Sequence, residues 1–395
     1  MHASQIILLL FIGYIVFTLD KKQKNIPVPA LLLVIGVVFS FLPFFSEVNV
    51  TKPVIYDILL PALLFISAYR FSPKALRENA GIIATLSTLG LIATAVLLGF
   101  TIYVIGGLFV SLSLVGALVI ASILTPTDPV SVVSILKQSA DDPKVADVVD
   151  GESMINDGTS IVLFTVLAGI LTGEKSFDFL SFIGEFLYVS LGGAVTGVIL
   201  GWIVSKAVHF THQKDYQVML SIVLAYGSFH IAEHIGVSGV LATVASGIML
   251  AWEFENTNKE DHYREALDGF WNVVEPSVLA LVFLLIGIEA TGYLAFDHWG
   301  LAILLFIASI IIRFIVIAGT FQFFSRWRNT VSWQQIGLIS WSGIRGTMSV
   351  VLLLSLEAQA SEEATLLMSI SFAVVFLSLI IQSLGVYPLS KWMKR

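Results

Sequence analysis

Long apolar segments separated by short polar ones follow one another along almost the whole chain. A helix needs roughly 17–25 mostly apolar residues to cross the hydrocarbon core of a bilayer, which is about 30 Å thick. Thirteen segments come close to this length, and they lie near residues 4–19, 27–45, 53–69, 79–106, 112–136, 152–172, 179–205, 216–234, 237–252, 273–291, 299–324, 333–357 and 364–389. The pattern predicts an all-α polytopic membrane protein with about 13 transmembrane helices.

The positively charged residues test this segmentation, because cytoplasmic loops carry the excess of lysine and arginine. With the N-terminus outside, 17 of the 21 lysines and arginines fall in cytoplasmic segments and two outside, while Arg313 and Arg345 fall within predicted helices. We therefore expect a multi-pass protein of the plasma membrane with a cytoplasmic C-terminus. No positive charge precedes the first apolar segment and no cleavage site follows it, which indicates a retained helix rather than a signal peptide.

Composition excludes several classes of function. The chain is 57% hydrophobic and only 12% charged, whereas a soluble domain carries about 25% charged residues. A formal net charge of −7 gives no basic surface for nucleic acid, and the lack of cysteine excludes disulfides and thiol catalysis. The longest hydrophilic stretch, about 253–272, is one short loop, so we expect no cytoplasmic regulatory domain.

The fifth apolar segment carries a carboxylate at membrane depth. Asp128 and Thr127 lie between Pro126 and Pro129. Proline lacks an amide donor and clashes with the preceding turn, so this pair predicts a helix that is broken within the membrane. Broken helices expose backbone carbonyls and half-helix ends, from which transporters build cation sites. The alternative is a simple kink, which leaves the buried carboxylate unexplained.

The sixth segment adds a stripe of polar residues ahead of an apolar run. Glu152 and Asn156 share one helix face, and Ser153 and Asp157 share the neighbouring face, because residues four apart lie above one another. Ionisable groups at this depth are expensive and mark functional sites. Helix capping is the alternative, and it would account for the serine or the asparagine but not for the aspartate.

The twelfth segment carries the opposite charge. Arg345 lies between two glycines, roughly twelve residues inside the segment. A guanidinium is permanently charged and needs a partner when buried, and Glu152, Asp128 and Asp157 are the carboxylates at comparable depth. Arg313, by contrast, is expected near the end of its helix as an interfacial or inter-helix partner.

The fifth and twelfth segments each stand second from last in a set of six. Interrupted helices in corresponding positions indicate an inverted-repeat transporter with its site near the midplane. We therefore expect a single transmembrane domain, 1–395, in which helices 1–6 (about 4–172) form one repeat, helix 7 (about 179–205) a linker, and helices 8–13 (about 216–389) the second repeat.

Five motifs resemble one family. They are LLPALLF (59–65), TPTDPV (125–130), GESMINDGTSIVLF (151–164), IGVSGVLATVASGI (235–248) and SGIRGTMSV (342–350). Together they are similar to the cation:proton antiporter-1 family, the NhaP-type sodium/proton exchangers. The resemblance implies an inverted-repeat antiporter fold with two broken crossing helices, a core domain and a domain through which a homodimer forms.

The resemblance also assigns roles to the polar residues. Asp157 would carry the cation or the proton, and Asp128, Ser153 and the carbonyl of Thr127 would join it around a sodium ion. Glu152 and Arg345 would form a buried ion pair, and Asn156 would brace the site. An asparagine at position 156, rather than a second aspartate, is similar to the electroneutral branch of the family.

The chemistry of these residues predicts exchange rather than passive flow. Oxygen ligands without sulfur suit a hard cation. A carboxylate neutralised by a proton loses most of its affinity for sodium, so Asp157 would hold one or the other. We expect a secondary transporter and not an enzyme, exchanging sodium, with lithium as the second choice, for protons in a 1:1 cycle that serves pH and sodium homeostasis. No cofactor is expected beyond the transported sodium ion and proton. The protein is expected to be surrounded by membrane lipid.

Three other functions stay open at this point. A potassium/proton antiporter of the same fold would use the same residues. A passive cation channel would normally need rings of ligands on a symmetry axis. An intramembrane metalloprotease is the third, because HIAEH at 230–234 matches a zinc-protease pattern, although no third zinc ligand stands out in the sequence.

The seventh apolar segment carries three glycines spaced four apart. Gly193, Gly197 and Gly201 predict a close helix contact, either within the chain or between protomers.

Overall fold

The computed structural model is helical throughout the part of the chain that it describes. The described residues are 2–23, 27–45, 48, 50–128, 133, 136, 143–173, 178–210, 213–256, 261–295, 297–325, 327–328, 330–357 and 362–393. Seven helical stretches in these ranges are long and apolar enough to cross a membrane, and three shorter ones are also apolar. The protein is therefore an all-α polytopic membrane protein, and thirteen crossings stay a prediction.

In the described part of the first half, the α-helices have the following bounds. They are α1 (Ala3–Gln23), α2 (Val28–Ser40), α3 (Leu60–Arg70), α4 (Pro73–Thr85), α5 (Leu91–Gly106), α6 (Leu114–Ile123) and α7 (Pro143–Leu171). A π-helical segment, Val54–Leu59, leads into α3, and a second, Leu86–Gly90, joins α4 to α5. The hydroxyl of Ser72 caps α4 by accepting a hydrogen bond from the Ala75 amide at 3.3 Å, so this helix begins six residues before the predicted position.

The second half begins with four helices of 32, 21, 18 and 34 residues. Its helices are α8 (Phe179–Phe210), α9 (Lys214–His234), α10 (Gly239–Asn256), α11 (Asp261–Leu294), α12 (Trp299–Phe323), α13 (Trp333–Trp341), α14 (Thr347–Glu357), α15 (Glu362–Leu377) and α16 (Ser383–Met393). A third π-helical segment, Ser378–Gln382, joins α15 to α16. Helix α11 extends well beyond the predicted 273–291 because the polar residues before position 273 continue the same helix.

The polar stripe of α7 lies in the helix interior. The helix begins at Pro143, nine residues before the predicted start. Ser153 and Asn156 are therefore far from the unsatisfied amides of the first turn, which excludes the capping interpretation. Proline is favoured in the first turn of a helix, so Pro143 was the available signal for this boundary.

Both predicted helix breaks are visible where the structure describes them. Helix α6 ends at Ile123, and residues 126–128 are not helical. The remainder of the fifth predicted segment, Pro129 included, lies outside the described residues except for helical positions 133 and 136. In the twelfth segment, α13 and α14 are separated by non-helical residues 342–346. A capping box between Ser332 and Gln335 fixes the start of α13.

The helices around these breaks share the largest hydrophobic cluster of the described residues. Helix α7 packs against α4 and α6, and α12 packs against α5, α13 and α15. Helix α10 packs against α3 and α8, and α11 packs against α1 and α2. The close α8–α10 contact runs along the glycines of α8, so the predicted glycine contact lies within the chain. The two broken segments lie inside this body, away from its lipid-exposed apolar faces.

Candidate ion-binding site at the crossing of two broken helices

The two broken segments cross and are hydrogen-bonded to each other. The amide of Asp128 donates to the carbonyl of Ile344 at 2.7 Å. The carboxylate of Asp128 in turn accepts from the amide and the hydroxyl of Thr347, at 3.3 and 3.2 Å. Thr347 is the first residue of α14, and the partial positive charge at a helix N-terminus stabilises a carboxylate there. The first break is thus attached to the half-helix that follows the second.

Gly346 makes this crossing possible. A Cβ atom at this position would lie 2.3 Å from one carboxylate oxygen of Asp128, far inside van der Waals contact. A glycine between the half-helices therefore provides space for the carboxylate rather than only loosening the helix.

Helix α7 holds the first break through Thr127. The hydroxyl of Ser153 donates to the carbonyl of Thr127. Asn156 donates through its side-chain amide to the Thr127 hydroxyl at 2.9 Å and accepts from the Thr127 amide at 3.4 Å. All three residues are buried. Polar groups of the interrupted backbone are thus satisfied by one helix face, as buried polar groups require.

Asp128 and Asp157 line the same small cavity. Its volume is about 40 Å³, and α3, α7 and α14 supply the remaining lining, including Leu64, Ser67 and Thr347. The Oδ1 atom of Asp157 is buried and has no hydrogen-bond partner among the described residues. A cavity needs at least roughly 10–15 Å³ to hold a water molecule, so this one has room for a small ligand. An unpaired buried carboxylate oxygen is suited to a cation or a proton.

The predicted ligand set is only partly assembled around this cavity. Asp128 and Asp157 line it, whereas Ser153 and Thr127 are hydrogen-bonded to each other and are not among its lining residues. Both nevertheless sit directly beside it in the chain, next to Met154 and Asp128, which do line it.

The expected ion pair between Glu152 and Arg345 is wrong, because Glu152 is paired with Arg313. Both terminal nitrogens of Arg313 donate to the Glu152 carboxylate, at 3.0 and 2.6 Å. The two side chains are only 7% and 5% exposed. Arg313 is the fifteenth residue of α12 rather than an end residue. Gly343 leaves room for its guanidinium, since a Cβ there would lie 2.1 Å from the Arg313 Nε atom.

Arg345 binds backbone carbonyls instead. Its Nε atom donates to the carbonyl of Leu124 at 3.0 Å, and one Nη atom donates to the carbonyl of Gly343 at 2.7 Å. Leu124 caps the C-terminus of α6, where a positive charge is favoured by the helix dipole. The same Nη atom also donates to the Oε1 atom of Gln382 at 3.3 Å. Arg345 therefore links both breaks to the π-helical segment Ser378–Gln382.

Sequence reasoning missed three residues of this constellation. Arg313 was detectable as a lone arginine in the middle of an apolar helix. Ser378 and Gln382 gave no such signal, because uncharged polar residues are common in membrane helices. Only the fold shows that they face the second break.

The histidine motif does not form a metal centre in the structure. The Oε1 atom of Glu233 accepts from the hydroxyl of Tyr56 at 3.0 Å and from the amide of Gly239 at 2.8 Å. Glu233 thereby connects the π-helical segment before α3 to the start of α10. His230 and His234 are exposed. Within the described ranges no three metal-ligating side chains come together.

Comparisons with known proteins agree with this architecture. The low-affinity Na⁺/H⁺ antiporter NhaS1 of Synechocystis is 29% identical, over 97% of this chain and 73% of that protein. The Na⁺/H⁺ antiporter NhaP of Pseudomonas aeruginosa is 31% identical, over 87% of this chain and 81% of that protein. The Na⁺/H⁺ antiporter NhaH of Halobacillus dabanensis is 29% identical, over 98% of this chain and 96% of that protein.

A solved structure shows the same fold. The sodium proton antiporter MjNhaP1 from Methanocaldococcus jannaschii at pH 8 superposes with a TM-score of 0.79 at 18% identity, covering 98% of this chain and 97% of that one. The sequence profile described as "Sodium/hydrogen exchanger, transmembrane" matches residues 7–392. With that match across nearly its whole length, the chain belongs to the sodium/hydrogen exchanger family.

Proposed function

We propose that the protein exchanges sodium ions for protons across the plasma membrane by alternating access, with Asp157 as the carrier. The observation that carries this proposal is the buried, unpaired Oδ1 atom of Asp157 beside a cavity that it shares with Asp128. Membership of the exchanger family and the names of the antiporters described above support the choice of sodium and protons.

Competition for one carboxylate accounts for exchange. A protonated Asp157 has lost the charge that attracts sodium, and a sodium-bound Asp157 has little affinity for a proton. An empty, charged carboxylate is costly to move through a low-dielectric interior. The protein therefore switches between its outward-facing and inward-facing conformations when either ligand is bound, and it does not switch when the site is empty.

The neighbouring oxygens supply the rest of the cation site in this proposal. Asp128 is held beside the cavity by Thr347, and the Ser153 hydroxyl and the Thr127 carbonyl lie one residue away from cavity-lining positions. A rotation of the Ser153 hydroxyl away from the Thr127 carbonyl would make both oxygens available to sodium. Hard oxygen ligands of this kind suit sodium or lithium.

The wider assignments rest on the resemblance and on the charge pattern. We propose an external N-terminus, a cytoplasmic C-terminus, two six-helix repeats joined by helix α8, and assembly as a homodimer. In the cell, exchange in this form would serve sodium and pH homeostasis.

The test is exchange by purified protein in proteoliposomes with an imposed pH gradient, with sodium, lithium and potassium added separately. Wild-type protein should dissipate the gradient with sodium, and Asp157→Asn should abolish this activity. Asp178→Asn is the matched control, because Asp178 is an exposed residue that precedes α8. Normal sodium-coupled proton flux in folded Asp157→Asn protein would refute the carrier role, and a response to potassium alone would overturn the choice of cation.

A further inference from the structure

Two buried polar side chains near the C-terminus have no part in the proposed exchange mechanism. Ser378 and Gln382 begin and end the π-helical segment between α15 and α16, and neither is exposed to solvent. π-helical segments within α-helices often occur at functional sites. This segment faces the second broken helix.

Gln382 contacts the helix end before that break and the break itself. Its Nε2 atom donates to the carbonyl of Trp341, the last residue of α13, at 2.8 Å. Its Oε1 atom accepts from Arg345 at 3.3 Å and from the hydroxyl of Ser378. In return, the indole of Trp341 donates to the backbone carbonyl of Gln382 at 3.0 Å. One amide side chain thus satisfies a donor and an acceptor of the interrupted helix.

Ser378 completes the attachment. Its hydroxyl oxygen accepts from the backbone amide of Arg345 at 3.0 Å. Arg345 is therefore held at its backbone by Ser378 and at its guanidinium by Gln382, while it binds the carbonyls of Leu124 and Gly343. Its conformation is determined at both ends.

The first break is held in a parallel way. On α7, the hydroxyl of Ser153 and the amide of Asn156 bind Thr127 of the first break. At the second break, the hydroxyl of Ser378 accepts from the backbone amide of Arg345, and the side-chain amide of Gln382 donates to the carbonyl of Trp341, the last residue of α13. In each case a hydroxyl and an amide, three or four residues apart on one helix, bind residues in or directly before the break of the neighbouring helix. The first pair lies beside the carboxylate of Asp157, and the second lies beside the guanidinium of Arg345.

We propose that Gln382 is a positioning residue for the cation site, which acts through Arg345 and the unwound residues 342–346. These residues lead directly to Thr347, whose amide and hydroxyl hold the carboxylate of Asp128 beside the cavity. Loss of the Gln382 amide frees the guanidinium of Arg345 and the end of α13, and so lets Asp128 depart from its position opposite Asp157. This inference rests on the proposed function.

The experiment compares wild-type protein, Gln382→Ala, Gln382→Glu and Ile381→Ala. Ile381 is the matched control because it lies in the same π-helical segment with 43% of its surface exposed. Sodium-dependent exchange in proteoliposomes gives the half-saturating sodium concentration and the maximal rate. The sodium-dependent shift of the melting temperature in detergent measures binding without transport.

Gln382→Ala should raise the half-saturating sodium concentration about threefold to tenfold and reduce the sodium-dependent melting shift, with a smaller change in maximal rate. Gln382→Glu keeps the acceptor for Arg345 but loses the donor to Trp341, so it should lie between Gln382→Ala and wild type. Ile381→Ala should match wild type. A lower melting temperature without sodium, combined with an unchanged half-saturating concentration, would show a merely structural role and overturn the proposal.

A double-variant experiment tests the route of the effect. In an Arg345→Lys background, removal of Gln382 should raise the half-saturating concentration less than it does in wild type, because the guanidinium that it orients is gone. Independent, multiplicative effects would contradict a route through Arg345. Failure of the proposed function is distinguishable, since it would appear as wild-type protein that shows neither sodium-dependent exchange nor sodium-dependent stabilisation.

Discussion

The two buried arginines have different partners and therefore different consequences when removed. Arg313 neutralises Glu152 through two hydrogen bonds, so the carboxylate depends on it for charge compensation. Arg345 binds carbonyl oxygens that carry only partial charges. Breaking a buried ion pair leaves an uncompensated charge, which costs more than leaving a carbonyl without its donor.

Arg313→Ala should lower the free energy of unfolding by about 3–5 kcal/mol, because the Glu152 carboxylate is left buried and unpaired. The double variant Glu152→Gln/Arg313→Ala should recover part of this loss, since an amide carries no charge. Thermal unfolding of purified protein in detergent measures both effects. Arg328→Ala is the matched control, because Arg328 is exposed and donates to a backbone carbonyl. A double variant no more stable than Arg313→Ala would contradict this account of the pair.

At the residue scale, the sequence located the acids better than their partners. Asp128 and Asp157 stand out because ionisable residues are rare within apolar segments, and the structure places both on one cavity. The partner of Arg345 could not be derived, because three carboxylates lay at a similar predicted depth. The pairing depends on whether a guanidinium fits beside Gly343, which is a property of the packed structure.

At the scale of the elements, the α8–α10 contact shows how glycines determine helix separation. A Cβ atom on Gly197 would lie 2.1 Å from the carbonyl oxygen of Ala242, and one on Gly193 would lie 2.4 Å from that of Ser238. Close approach of this kind is typical of small residues repeated four apart in membrane helices. The opposite face of α8 carries exposed apolar residues such as Val195 and Ile199.

Gly197→Ala should therefore destabilise the protein by about 1–3 kcal/mol, because the added methyl group forces α8 away from α10. Gly184→Ala on the same helix is the control, since nothing lies within 4 Å of its Cβ position. That control should be neutral or stabilise by up to about 1 kcal/mol through helix propensity. Melting temperatures in detergent should fall for the first variant only. Equal behaviour of the two variants would argue against the tight contact.

The helix boundaries were predictable to different degrees for physical reasons. The broken helices followed from the pair Pro126 and Pro129 and from the glycines around Arg345, because these residues disfavour continuous helix. The start of α7 was missed because its first turns are polar and extend beyond the hydrophobic segment. The π-helical segments could not be predicted, since a single extra residue in a turn leaves the apolar pattern almost unchanged.

At the scale of the whole molecule, the number of carboxylates free to exchange ligands determines the charge moved in each cycle. Glu152 is paired with Arg313, and one oxygen of Asp128 already accepts two hydrogen bonds from Thr347. Position 156 is an asparagine, which has no proton to exchange at physiological pH. In the proposed mechanism, Asp157, with its unpaired Oδ1 atom, takes either a sodium ion or a proton.

Exchange should consequently be electroneutral, because one sodium ion and one proton carry equal charge in opposite directions. In proteoliposomes, a membrane potential imposed with potassium and valinomycin should leave the initial rate of sodium-dependent proton movement unchanged. The half-saturating sodium concentration should rise as the pH falls, approaching about tenfold per pH unit once protons occupy the carboxylate, as expected when a cation ligand must be deprotonated. Both measurements follow from competition at one group.

The two measurements also separate the alternatives. If a second carboxylate released its proton in each cycle, an inside-negative or inside-positive potential would accelerate exchange in one direction and slow it in the other. If sodium and protons occupied separate sites, the half-saturating sodium concentration would change little with pH while the maximal rate changed. Voltage independence together with a pH-dependent half-saturating concentration is the combination that a single carrier at Asp157 requires.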